Sequence, residues 1–145
     1  AQAMPPELHE TFLQIPDSIS PQVKELAIRL KNETDGSPQA ISERLLRWYS
    51  DQNFVYTRQP GALRTGTLDE FLFETKRGFC EHYAGSYATL MRLMGVPSRV
   101  VVGFLGGQVN QMGQYVIVRS LDAHAWSEIW DEPTSRWRRV DPTST

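Results

Sequence analysis

The sequence contains one cysteine, Cys80, and three histidines, His9, His82 and His124. Cys80 lies in Arg77-Gly78-Phe79-Cys80-Glu81-His82-Tyr83-Ala84-Gly85-Ser86-Tyr87-Ala88, at the point where a helical period begins. Behind it Ala84, Tyr87, Ala88, Met91 and Met94 recur at helical spacing, which predicts a helix anchored in a core with its first residue looking out. A thiol in a helix's first turn meets unpaired backbone N–H groups and the positive end of the macrodipole, and both favour the nucleophilic thiolate. Gly78 is expected to let the chain turn sharply into the helix and to leave open space beside the sulfur. The plainer alternative is a buried cysteine that packs as a small hydrophobe.

A thiol nucleophile needs a base, and the strand-like run His124-Ala125-Trp126-Ser127-Glu128-Ile129-Trp130 supplies a candidate. Alternation puts His124, Trp126, Glu128 and Trp130 on one face. Residues 131–136 read as a turn, so a Trp130–Trp137 pairing would set Trp126 opposite Asp141. Asp141 then stands one diagonal step from His124, close enough to orient the imidazole. The other ring nitrogen would face the space in front of the sheet, where the cysteine helix is expected to bring Cys80. Each residue alone has an ordinary explanation: a structural histidine, an aspartate that caps a turn before a proline. Together, in the order Cys80, His124, Asp141, they form a nucleophile, a base and an orienter. A competing reading is a metal site from Cys80, His82, His124 and Asp141, although Cys-x-His is an unusual zinc spacing without a second cysteine pair. Glu81 in the first turn is explained by the dipole alone. His82, about 200° around the helix from Cys80, is expected to point away from the cleft.

These residues need a scaffold, and 145 residues with 40% apolar and 22% charged side chains suit one globular domain. A net charge of -2 offers no general attraction to nucleic acid or an anionic membrane. One cysteine cannot form an internal disulfide, so the redox compartment stays open. No run of 18 or more apolar residues and no signal peptide are visible, and the two ends read as boundaries inside a longer polypeptide. Residues 1–19, with Pro5, Pro6 and Pro16, read as an extended or briefly helical arm, and residues 20–145 as a single domain. Ser20-Pro21 and Ser37-Pro38 signal helix starts, the first helix running to about Glu33 and the second to about Asp51. Residues 54–57 look extended and lead into a Pro60-Gly61 turn. Thr67 to Glu70 has capping-box spacing for a short helix through Phe73. The cysteine helix should stop at Gly95. Four strands are predicted after it, at 99–104, 114–119, 124–130 and 137–141. Helices first and strands after define an α+β domain with an antiparallel sheet. Trp126, Trp130 and Trp137 read as sheet aromatics and Arg136, Arg138 and Arg139 as solvated.

Four motifs carry a resemblance: Gly78-x-Cys80-x-x-x-Ala84, Leu93 to Gly103, His124-Ala125-Trp126-Ser127-Glu128, and Val140-Asp141-Pro142-Thr143. In this order and spacing, across residues 65–145, the chain resembles the transglutaminase-like superfamily with its papain-like core. Within it, the likeness is to bacterial inner-membrane proteins whose domain faces the periplasm between transmembrane segments. The resemblance implies Cys80 as nucleophile, His124 as general base and acid, and Asp141 as its orienter. It implies calcium-independent acyl transfer through a thioester, from a glutamine side chain to lysine or another amine, with no cofactor. Partners would be proteins, peptides or cell-envelope components, and the full-length protein would be membrane-anchored outside these residues. Trp48 and Tyr56 are the candidates for an extra oxyanion donor. The alternatives are a cysteine protease or amidase, and a non-catalytic module that uses the cleft for binding. Phe79, Tyr83 and Trp126 are expected to build an apolar wall that favours an amine over water.

Overall fold

Two Ser-Pro pairs open two of the helices in the computed structural model, which describes residues 4–59, 67–104, 108–110, 115–117 and 123–143. Ser20 Oγ accepts the Val23 N–H at 3.2 Å and Ser37 Oγ accepts the Ala40 N–H at 3.3 Å. Proline follows each at the first helical position, where its missing N–H costs nothing. A short α1 spans Pro6–Thr11 and is followed by α2, Pro21–Asn32, and α3, Pro38–Asp51. The cysteine helix is α4, Cys80–Leu93, and Gly95 beyond it takes the left-handed conformation at φ 86°. Val23, Leu26 and Leu30 of α2, Ile41, Leu45 and Tyr49 of α3, and Tyr87, Leu90 and Met91 of α4 are buried in one cluster. Fully burying a side chain of this size contributes roughly 1.5–3 kcal/mol, so this cluster is what fixes α4 in place.

The sheet follows the helices, as α+β patterning requires. Strand β3, Ser98–Phe104, pairs antiparallel with β6, Ala123–Asp131, which pairs antiparallel with β7, Arg136–Val140. The α4 helix lies against the face carrying Ala125, Ser127 and Ile129, all nearly inaccessible to solvent. Two serines tie it there. Ser98 Oγ donates to the Ala88 carbonyl at 2.7 Å, and Ser127 Oγ donates to the Ala84 carbonyl, one turn earlier, at 2.9 Å.

The arm is laid across this assembly. Phe12 meets Trp137 edge-on at 4.8 Å, the Ser98 N–H donates to the Phe12 carbonyl, and Arg92 donates to the Gln14 carbonyl at 2.8 Å.

Three local departures from the sequence reading matter. The segment after Thr67 becomes a π-helix over Glu70–Thr75. Three successive residues of it, Glu70, Phe71 and Leu72, are buried. Of the expected capping box, the Glu70 N–H donates to Thr67 Oγ1 at 3.3 Å. Next, β1, Val55–Tyr56, pairs in parallel with β2, Arg77–Gly78, which sets Tyr56 beside the chain entering α4. Finally, the described part of the predicted strand around residue 116 is paired outside the main sheet: β5, Tyr115–Ile117, pairs antiparallel with β4, Gln108–Asn110. The Pro60-Gly61 turn, and residues 114, 118 and 119 of the expected strand, lie outside the described residues.

Candidate active site

Phe79 holds an extended conformation, φ -115° and ψ -172°, and serves as N-cap of α4. Cys80 is therefore the first helical residue, and its own N–H has no partner within the helix. The thiol is 8% exposed and packs on Ala84 and Ala125, with Phe79 alongside. It borders a cavity of about 250 Å³ that is also lined by His124, Tyr56, Arg58, Phe79, Glu81, Val102 and Ala125.

The opposite wall comes from the sheet. Trp130 pairs with Trp137 and Ser127 with Val140, so the next step sets Trp126 opposite Asp141, as the spacing predicts. His124 and Asp141 lie 2.6 Å apart, Nε2 to Oδ2. The other carboxylate oxygen accepts two further bonds, from the Thr143 N–H at 3.0 Å and the Thr143 hydroxyl at 2.6 Å. Burial by itself would raise the Asp141 carboxyl. The hydrogen bonds from Thr143 and His124 outweigh it and hold the group below the ordinary carboxylate range. An ionised Asp141 can only accept, so Nε2 carries the proton toward it, an arrangement that in the neutral form of the ring leaves the lone pair on Nδ1. Thr143 was not singled out from the sequence. The signal was Asp-Pro-Thr itself, because an aspartate commonly bonds the backbone two residues on.

The thiol does not arrive in front of the sheet face that carries Trp126 and Glu128. The α4 helix packs on the opposite face, and its first residue reaches past Ala125 to the start of β6, so Cys80 and His124 meet at the end of the sheet. The base face has its own support. Trp126 stacks beside His124 with centroids 6.4 Å apart, and the Arg139 guanidinium lies 4.2 Å from the Trp126 ring centroid. A Cβ on Gly103, the β3 partner of His124, would sit 2.6 Å from the Trp126 ring, so that close approach requires glycine. Arg138 is engaged too, donating to Gln39 and lying 3.8 Å from Asp131.

Gly78 has a different reason from the one its position suggests. A Cβ there would stand 2.8 Å from Cβ, Cγ and Nδ1 of His82, so the space it leaves is filled by that ring and not by the sulfur's surroundings. His82 is turned from the cavity, as expected, and stacks on Phe71 at 5.4 Å. Its Nδ1 accepts the Phe79 N–H, so it does not join a metal set. Among the described residues no three His, Cys, Asp or Glu side chains converge as metal ligands. Glu81 is exposed at the cavity rim.

Of the expected apolar wall, Phe79 borders the cavity, whereas Tyr83 is part of the helical core and Trp126 is not among the lining residues. Tyr56 and Val102 take their places. Trp48 is 4% exposed, packs against Tyr49 and Phe54 in the core, and is not among the residues that line the cavity. Tyr56, carried in by the β1–β2 pairing, remains.

A helix-borne cysteine and a strand-borne histidine paired to an aspartate thus border one cavity on an α+β scaffold. The profile of the transglutaminase-like superfamily matches residues 24–142, and the chain belongs to that superfamily. It is 43% identical over 131 residues to a protein-glutamine gamma-glutamyltransferase of Pseudomonas aeruginosa, and 30% identical over 142 residues to YebA of Bacillus subtilis. These alignments take in 90% and 92% of this chain but 19% of each relative. The crystal structure of the periplasmic domain of TgpA from P. aeruginosa superposes with a TM-score of 0.84 at 40% identity, over 97% of this chain and 48% of that one. A structure from Cytophaga hutchinsonii shares the fold at 18% identity, with a TM-score of 0.69. Among the described residues no helix is long and apolar enough to cross a membrane.

Proposed function

We propose that this domain is a cysteine acyltransferase that takes its acyl group from a glutamine side chain and passes it to a primary amine, with Cys80, His124 and Asp141 as its catalytic residues. The observation that carries the reading is the sharing of one cavity by Cys80 and an imidazole whose Nε2 is already committed to a carboxylate. His124 Nδ1 takes the proton of the Cys80 thiol. The sulfur adds to the amide carbon, and collapse expels ammonia, which carries away the proton returned by His124. The acyl group is left as a thioester. The N–H of Cys80 is positioned to help hold the oxyanion, with the Tyr56 hydroxyl as the side-chain candidate. An amine then adds, His124 accepts its proton, and the thiol leaves.

Tyr56, Phe79 and Val102 support transfer over hydrolysis. They offer an apolar surface for the stem of a lysine, which raises its effective concentration at the thioester relative to water. By likeness to the periplasmic domain of TgpA, we place the domain on the periplasmic face of an inner membrane, with the anchor outside these residues. The substrates would then be cell-envelope proteins or peptides.

The test is incorporation of a fluorescent alkylamine into a glutamine-containing protein in the presence of a calcium chelator. The expected result is incorporation by the wild type and none by Cys80→Ala. Release of only free acid or cleaved peptide at saturating amine would make the domain a hydrolase and remove the transfer reading.

A further inference from the structure

We propose that His82 is a positioning residue for the nucleophile, acting as a two-point clamp on Phe79. Its backbone N–H donates to the Phe79 carbonyl at 2.9 Å, and its side-chain Nδ1 accepts the Phe79 N–H at 3.1 Å. Both ends of one residue are thus tied to another, and Cys80 is the next residue along.

The chemistry explains why a histidine stands here. An N-cap residue with an oxygen-bearing side chain can bond its own helix, but Phe79 has none to offer. The reciprocal half of a capping box is still available: a side chain at the third helical position can reach back to the N-cap N–H. Glu or Gln usually does this, and His82 does it with a ring nitrogen. The ring is itself immobilised. It meets Phe79 edge-on at 4.5 Å, stacks on Phe71 at 5.4 Å, and fills the space that Gly78 leaves by having no Cβ. Gly78, Cys80 and His82 therefore form one device. The glycine admits the ring, the ring holds the Phe79 N–H while the His82 N–H holds the Phe79 carbonyl, and the conformation of Phe79 so fixed sets where the sulfur points. A thiol displaced by about 1 Å can lose on the order of a hundredfold in rate, so a clamp on the preceding residue acts on reactivity without touching substrate.

The acyl-transfer role of Cys80 belongs to the preceding reading, on which this inference rests, so its test reads the thiol without any acyl substrate. Alkylation of Cys80 by a neutral haloacetamide at fixed pH should slow about tenfold or more in His82→Leu. It should stay within about threefold of wild type in His82→Gln, whose amide oxygen can take the same N–H. Gly78→Ala, which keeps the imidazole but displaces it, should behave as His82→Leu does. Equal rates in all four proteins would overturn the clamp, and so would an equal loss in His82→Leu and His82→Gln, which would reduce the ring to packing. A measurement on the unmutated protein stands apart from folding defects: its ring ¹⁵N spectrum should show His82 as the Nε2–H tautomer, and an Nδ1–H tautomer would overturn the proposal. If these results hold while the wild type incorporates no amine, the acyl-transfer reading fails and the clamp stands.

Discussion

The two halves of the candidate site are held by different physics. The cysteine half is positioned by backbone and packing. Cys80 is the first residue of α4, the helix is locked by its buried face, and the thiol itself rests on Ala84, Ala125 and Phe79. The base half is positioned by polar bonds, since Asp141 accepts from His124 Nε2 and twice from Thr143. One half resembles a core with a reactive edge and the other a charged network with a reactive edge. Substitutions should accordingly act on the cysteine half through geometry and on the base half through protonation. Both halves nevertheless use one device, a glycine that lets a ring come close: Gly78 under His82 and Gly103 under Trp126.

The largest effect expected on either half is from Cys80→Ala, which should abolish amine incorporation, a loss of at least about a thousandfold, while leaving the melting temperature within a few degrees. Activity surviving this change would remove the covalent mechanism. Asp141→Asn should cut turnover by roughly two to four orders of magnitude with the fold intact, because the amide would hold the wrong imidazole tautomer. Alkylation of Cys80 measured alongside would sharpen the contrast: if turnover is unchanged, Asp141 has no orienting role. Gly103→Ala should come next, at about tenfold in turnover and roughly 1–3 kcal/mol in stability, because the added methyl drives the Trp126 ring from its place beside His124. Urea denaturation and initial rates would check both figures.

Protonation distinguishes the halves in a second way. Folding holds the Asp141 carboxyl below its ordinary range and so favours its ionised form. The stability this provides is fully present above about pH 4, the unfolded value, and is lost as pH falls through the folded value. The stability gap between wild type and Asp141→Asn should therefore close on acidification from about pH 5 to pH 2, as followed by denaturation at each pH. A gap that stays constant would mean that the carboxylate's charge contributes nothing.

The sequence made the base half legible through register. Once Trp130 was set against Trp137, period-2 geometry put Asp141 within reach of His124, and no further information was needed. Cys80 at a helix start was equally readable from the spacing of Ala84, Tyr87, Ala88 and Met91. What was hidden depended on contacts between distant segments. Tyr56 reaches the cavity only because two residues of β1 pair with two residues of β2, a strand too short to leave a pattern. The π-helix was missed because its wider turn violates the period used to find helices, and Trp48 was misjudged because its type suits an oxyanion donor while its helical position buries it. Gly78 was recognised as necessary for a reason that its neighbour four residues on replaces, since ring placement is not encoded in local propensity.

The smallest effect concerns the joint between the halves. Ser127 Oγ on β6 donates to the Ala84 carbonyl of α4 at 2.9 Å, in a site with no solvent access. Ser127→Ala removes the donor and almost no volume. The Ala84 carbonyl keeps its helical partner, so no buried group is left wholly unpaired, and the cost should be about 1 kcal/mol, or roughly 3 °C in melting temperature. The same helix is also tied one turn later, by Ser98 to the Ala88 carbonyl, and by the packing of Ala84 on Ala125. The position of Cys80 relative to His124 should therefore survive, and alkylation of the thiol should stay within about twofold of wild type. Removing both hydroxyls in Ser98→Ala/Ser127→Ala leaves packing alone to set the helix on the sheet, and there the alkylation rate should begin to fall. A tenfold drop from Ser127→Ala by itself would show that one hydrogen bond, and not the buried face of α4, registers the cysteine half against the base half.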